Sequence, residues 1–183
     1  MQARAYAAQQ SKARLAPTTI ERRTVGARDV KIDIAACGVC HSDIHQAESD
    51  WGADIFPMVP GHEIVGTVVE AGPEVSRFRV GDRVGIGCYV ASCGTCAACE
   101  RGDENHCQGW SPTYNGYEQD GTTPTYGGYS DHIVVDERYV LRIPDGTDTF
   151  AVAPLLCAGI TDRKSTRLNS SHANISYAVF CLK

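Results

Sequence analysis

The sequence predicts a mainly β protein, a small barrel- or sandwich-like body with few short helices and one lobe held together by a metal ion. Three observations carry that prediction. Short stretches alternate apolar and polar residues at the strand period and are punctuated by glycine and proline turns. Segments with helical spacing are few and brief. Four cysteines, at 93, 96, 99 and 107, crowd into one short stretch. With 183 residues and 43% hydrophobic content, the chain is the size of one domain with at most an appendage. No internal repeat is visible.

From the N-terminus, alternation runs through the first 35 residues, with strands expected at 18–24 and 30–35. A short helical turn is expected over 42–46. Residues 64–72 read as a strand closed by the Gly72-Pro73 turn, and 81–87 as another that starts from a tight turn. The cysteine lobe follows, then a loop rich in glycine, threonine and tyrosine over about 109–128. Strands are expected at 129–135 and 139–144. Thr147 or Asp148 caps a helix running through 151–156.

Cys93, Cys96, Cys99 and Cys107 let one short lobe wrap four sulfurs around an ion. Zn²⁺ favours that arrangement, with thiolates at about 2.3 Å in a closed tetrahedron. The lobe has too little apolar content to fold by burial alone, so the metal would hold it. Two disulfides, or four unrelated thiols, are the alternatives. Two-residue gaps suit a metal better than a disulfide loop.

Composition excludes several function classes. A net charge of −5 argues against nucleic acid as the main partner. Every apolar run is broken by charge or glycine within a dozen residues, so no membrane span is expected. The N-terminal residues lack the apolar core of an export signal, and nine cysteines then point to a reducing, cytoplasmic setting. All 22 acidic residues precede position 163, whereas Arg163, Lys164, Arg167 and Lys183 make the remainder basic.

Three further soft donors, Cys40, His62 and Cys157, lie far apart in sequence. Spacing does not join them, and each alone reads more often as a buried thiol or a satisfied core histidine than as a ligand of a shared metal. Their surroundings carry a resemblance. Gly61-His62-Glu63-Ile64-Val65-Gly66-Thr67-Val68-Val69-Glu70-Ala71-Gly72-Pro73-Glu74-Val75 follows the zinc alcohol dehydrogenase signature. Gly38-Val39-Cys40-His41-Ser42-Asp43, the cysteine lobe, Tyr126-Gly127-Gly128-Tyr129-Ser130 and Ala153-Pro154-Leu155-Leu156-Cys157 arrive in that family's order. The chain therefore resembles the medium-chain dehydrogenase/reductase superfamily, within it the cinnamyl-alcohol-dehydrogenase-like branch that includes bacterial NADPH-dependent aldehyde reductases. The resemblance covers residues 1 to about 161.

It implies a GroES-like, partly open β-barrel catalytic domain over 1–161, with a structural zinc lobe at 88–110. It implies two zinc ions, one structural and one catalytic, the latter held by Cys40, His62 and Cys157 with a fourth position open to water or substrate. The implied reaction is reversible hydride transfer between nicotinamide and a zinc-bound alcohol or aldehyde, with NADP(H) or NAD(H) bound by a further domain. Ser42 would contact the alcohol oxygen, and His45 would pass its proton outward, as an imidazole with an ordinary pKa of about 6.5 can. Glu63 would approach the metal during ligand exchange, and Asp43 would orient His62. His41 is a weak candidate for cofactor phosphate, and Trp51 and Tyr89 for the substrate pocket. Cys37 reads as a buried structural thiol, Cys88 as packing, and His106 and His132 as structural or surface residues. Full-length relatives are expected to be homo-oligomers.

The family pattern stops near Thr161. No Gly-x-Gly-x-x-Gly nucleotide-binding turn follows, and 162–183 reads as a tail foreign to the family, a frameshift, fusion or assembly artefact. Such a fragment is expected to keep the lobe's zinc, to have negligible turnover and to expose apolar barrel edges. The competing readings are a non-enzymatic zinc module, an inactive truncated product, a zinc-free quinone reductase relative, and polyol or threonine dehydrogenases.

Overall fold

The computed structural model describes residues 1–52 and 54–159. The fate of the tail predicted at 162–183 lies outside the described residues. The architecture is mainly β with few short helices, as the sequence predicts. Strand β1 (Gln2–Ala7) pairs antiparallel with β2 (Ala16–Glu21). A five-stranded antiparallel sheet follows the order β8-β3-β4-β5-β9, formed by β3 (Asp29–Cys37), β4 (Ile64–Ala71), β5 (Arg83–Ile86), β8 (His132–Asp136) and β9 (Leu141–Arg142). A small pair, β6 (Tyr89–Ala91) with β7 (Ser111–Pro112), leads into and out of the cysteine lobe. Among the described residues the strands thus form one sheet and two ribbons rather than a single closed ring.

Alternation explains the layering. In β1 the alanines at 3, 5 and 7 point inward while Gln2, Arg4 and Tyr6 face out. Val30 and Ile32 of β3, Ile64 and Val68 of β4, Val84 and Ile86 of β5 and Ile133 and Val135 of β8 meet in one core. A smaller cluster of Val65, Ile143 and Ala153 packs the short helix against the outer face. β1 is knitted to the body by Tyr6 N–H donating to Tyr129 O at 2.8 Å and by the reciprocal Ala8–Met58 pair.

Arg22, just past β2, is half-buried, with its Nε enclosed. Its guanidinium donates to the carbonyls of Tyr126 and Gly127 and to Ser130 Oγ, each at 2.8 Å. Burial pulls it down to about 10, which leaves it protonated at neutral pH. The segment it grips is itself zipped to the 59–61 backbone: Gly127 N donates to Val59 O, Gly128 N to Gly61 O and Tyr129 N to Pro60 O.

Three sequence expectations shift. The strand expected at 139–144 contracts to β9, because Glu137–Tyr139 form a 3-10 turn in which Asp136 caps Arg138 N. The long loop contains β7. Between the two possible helix caps, Asp148 holds the N-terminus of α3 (Thr149–Val152), accepting from Phe150 N and Ala151 N. Thr147 instead receives the Arg83 guanidinium. A 3-10 turn, Ala153–Leu156, then delivers Cys157. At this end of the molecule Leu141, Phe150 and Leu155 are exposed.

Candidate active site and metal centres

Helix α1 (His41–Glu48) sets the first site. Its N-terminus is fixed by Asp43, whose Oδ2 accepts from Cys40 N at 2.9 Å. The other oxygen, Oδ1, accepts from Gly61 N at 3.0 Å and faces His62 Nδ1 at 3.1 Å. One buried carboxylate therefore joins the helix start to the His62 loop. Its bond to Nδ1 leaves Nε2 for the cluster. Gly61 has a φ of +105°, and an added Cβ would lie 2.8 Å from both Cys37 Sγ and Tyr129 Cδ1. Only glycine permits this approach of the His62 loop.

Donor atoms of Cys40, His62, Glu63 and Cys157 all lie within 4.8 Å of one another. The three remote donors are thus brought together, and Glu63 joins them as a fourth. Glu63 is buried, and burial followed by the Cys40 sulfur pushes its carboxyl up to about 7. Space for it depends on Gly38, where a Cβ would fall 2.0 Å from Glu63 Oε2. The Cys40 thiol is raised to about 11, first by its contact with Cys157 and then by burial. Soft sulfur, imidazole and a carboxylate converging in a buried recess form a donor set that fits zinc.

Ser42 Oγ lies 3.6 Å from Cys40 Sγ. His45, one turn along the helix, is half-exposed and pairs through Nδ1 with Asp50 Oδ2 at 2.8 Å. Its ring lies 5.3 Å from that of Trp51, which is largely exposed, and 6.1 Å from that of His41. Tyr89 belongs to a different aromatic group, edge-on to Trp110 and Tyr139. The two proposed pocket aromatics therefore sit in separate ring groups. An apolar cavity of about 530 Å³ opens beside α1, lined by Leu15, Val39, Ile44, Ala47 and Tyr129 among others, and neither Trp51 nor Tyr89 lines it.

The second site is the lobe. A one-turn helix α2 (Ala97–Glu100) and a 3-10 turn (Glu104–His106) fold the chain back on itself. Sulfurs of Cys107 and Cys93, and of Cys96 and Cys99, lie 3.5 Å apart, and Cys93 and Cys99 are separated by 3.9 Å. Bonds of about 2.3 Å to one zinc give a tetrahedral edge of about 3.8 Å, so the four sulfurs fit a closed thiolate site. All four are free thiols, which sets aside the disulfide alternative. Backbone N–H groups of Thr95 and Cys96 hold the Cys93 thiol down at about 6, and Ser92 lowers that of Cys99.

Several residues escaped the sequence reading. Tyr114, from the glycine-rich loop, stacks on His62 with centroids 5.7 Å apart and planes 25° apart. No periodic signal marks such a role in a loop. Cys88 needs correction: it is exposed rather than packed, and its sulfur meets that of Cys157, which lowers its pKa. It lies two residues past the end of β5, so it emerges at the sheet end where Cys157 arrives. Cys37 is buried as expected, and burial drives its thiol strongly upward. His106 is exposed, while His132 is buried against Asp131. No helix among the described residues is long and apolar enough to cross a membrane.

Comparison with known proteins places the chain among dehydrogenases and reductases of similar sequence. NADP-dependent alcohol dehydrogenase C 1 of Mycolicibacterium smegmatis is 56% identical over 159 residues, covering 86% of this chain and 45% of that protein. Aldehyde reductase YahK of Escherichia coli is 53% identical over 162 residues, covering 88% and 46%. A CAD from Helicobacter pylori, solved in complex with NADP(H), superposes with a TM-score of 0.86 at 44% identity, covering 90% of this chain and 48% of its own. The chain spans about half the length of the curated relatives it matches. The alcohol dehydrogenase GroES-like domain family matches residues 26–145, and the chain belongs to it.

Proposed function

We propose that this chain is the metal-bearing catalytic portion of an NADP-linked alcohol dehydrogenase or aldehyde reductase. The observation that carries the reading is the convergence of Cys40, His62, Glu63 and Cys157, from three separate parts of the chain, at the start of helix α1. A protein-contact module has no need of that second, buried donor set beside a closed four-cysteine lobe, nor has a zinc-free reductase. NADP is supported by the names of the Mycolicibacterium relative and of the Helicobacter complex.

When bound, zinc would supply Lewis acidity toward a substrate oxygen. Cys40, His62 and Cys157 would hold it, with Glu63 as an exchangeable neighbour. Asp43 keeps His62 in the tautomer that presents Nε2, because its carboxylate occupies Nδ1. Ser42, on the first turn of α1, would take or give the substrate proton at Oγ. His45 follows at the i+3 position on the same helix face and would move that proton outward, with Asp50 fixing its ring. Trp51, packed on His45, would border the substrate's approach, and His41 a cofactor phosphate. Tyr89 is a weaker candidate for the pocket, being engaged with Trp110 and Tyr139. A reducing cytoplasmic location belongs to the same reading, since none of the described cysteines forms a disulfide.

Metal analysis and a chimera test the proposal. The purified chain should hold zinc in the lobe, with a second equivalent lost on Cys157→Ser. Joined to the nucleotide-binding half of the 53%-identical Escherichia coli reductase, the chain should support aldehyde-dependent NADPH oxidation that Cys40→Ser abolishes. A chimera that folds, binds NADPH and turns over equally well with Cys40→Ser would refute the reading.

A further inference from the structure

The lobe is attached to the body by a buried chain of hydroxyls. Ser92 lies between the end of β6 and the ligand position Cys93. Its Oγ is 3.2 Å from Cys99 Sγ on one side and receives the Tyr139 hydroxyl at 2.6 Å on the other. Ser92 is 4% exposed and Tyr139 8% exposed, so water does not compete for either hydroxyl.

We propose that Ser92, aimed by Tyr139, is a positioning residue of the four-cysteine metal centre, its hydroxyl donating to the Cys99 thiolate. The direction follows from hydrogen counting. A metal-bound thiolate has no hydrogen to give, so the 3.2 Å contact must run from Ser92 to sulfur. Tyr139 then supplies the hydrogen that Ser92 Oγ accepts, which completes a one-way relay from Tyr139 through Ser92 to Cys99.

The anchor for this relay is the strand body. Tyr139 sits in the turn before β9, its ring edge-on to Tyr89 at 5.7 Å and beneath the Arg138 guanidinium at 5.5 Å. Tyr89 in turn meets Trp110 edge-on at 6.3 Å. Cys107, by contrast, takes a hydrogen bond from the lobe's own backbone, Gly109 N at 3.3 Å. Cys99 is therefore a ligand through which Tyr139, outside the lobe, fixes the orientation of the metal centre by way of Ser92. Partners of this kind set metal affinity as well as ligand geometry.

The inference rests on the four-cysteine metal reading, and the experiment separates the two. In the full chain carrying Cys40→Ser and Cys157→Ser, so that only the lobe binds metal, zinc affinity is measured by competition with a chelator. The thiolate-to-cobalt charge-transfer bands are recorded after substitution with Co²⁺. Ser92→Ala should weaken zinc binding by about 10- to 100-fold and move those bands to longer wavelength, since the sulfur loses its donor. Tyr139→Phe, which keeps the ring packing, should cause a smaller shift in the same direction. If both variants keep the parent affinity and band positions, the relay is wrong even should thermal stability fall, and Ser92 is only packing. A parent chain that takes up no zinc at all overturns the metal reading and the relay together.

Discussion

The two donor clusters are built in opposite ways. The lobe gathers its four sulfurs from 15 consecutive residues, 93–107, and supports them with nearby backbone N–H groups. The other cluster draws Cys40 from a helix start, His62 and Glu63 from the entry to β4, and Cys157 from a turn after α3. Closing a short loop costs little chain entropy, so the lobe needs only its metal. The dispersed cluster needs the whole sheet to be in place first, together with a buried carboxylate to lock it. Local chelation is autonomous, and long-range convergence is inherited from the fold.

Breaking the local cluster should have the largest effect, confined to one region. Cys96→Ser should cost one zinc equivalent and remove hydrogen-exchange protection over 93–107, because apparent binding of about 10–16 kcal/mol underlies such sites. The five-stranded sheet should stay protected. If the sheet unravels with the lobe, the two regions are not separable.

The next largest effect tests the dispersed cluster through its backbone. Gly61→Ala forces a side chain into a left-handed conformation against Cys37, Tyr129 and Gly128. It should destabilise the chain by about 3 kcal/mol in chemical unfolding and should lower retention of the second zinc. Asp43→Asn should weaken the buried cluster's zinc by about 10- to 100-fold and leave the lobe's zinc untouched. Competition with a chelator in the presence of an intact lobe reads the difference. The smallest effect sharpens the comparison from the surface: His45→Ala should change stability by no more than about 0.5 kcal/mol and leave both zinc equivalents bound. A larger loss would give His45 a structural role that its half-exposed position does not suggest.

The same contrast explains what the sequence disclosed. The lobe was legible in full, since chelate spacing is a local property. β3, β4, β5 and β8 were legible from alternation, although β5 and β8 begin later than the pattern suggested. Tyr139 looked like part of a strand because no single-residue signal distinguishes a strand from a turn capped by Asp136. Cys40, His62 and Cys157 could be joined only through resemblance to a family. Tyr114, Ser92 and Cys88 owe their places to tertiary contacts that no spacing encodes. Cys88 misled because its proximity to the lobe in sequence says nothing of which end of the sheet it leaves from.

Arg22 carries a consequence of its own. A half-buried cation, bound to two carbonyls and a serine, works as a rivet between the amino-terminal ribbon and the strip that backs His62. Lysine, with one ammonium and no planar fork, does not reproduce that grip. The first two strands, far from any donor atom in the chain's order, thereby become part of the foundation on which the histidine stands.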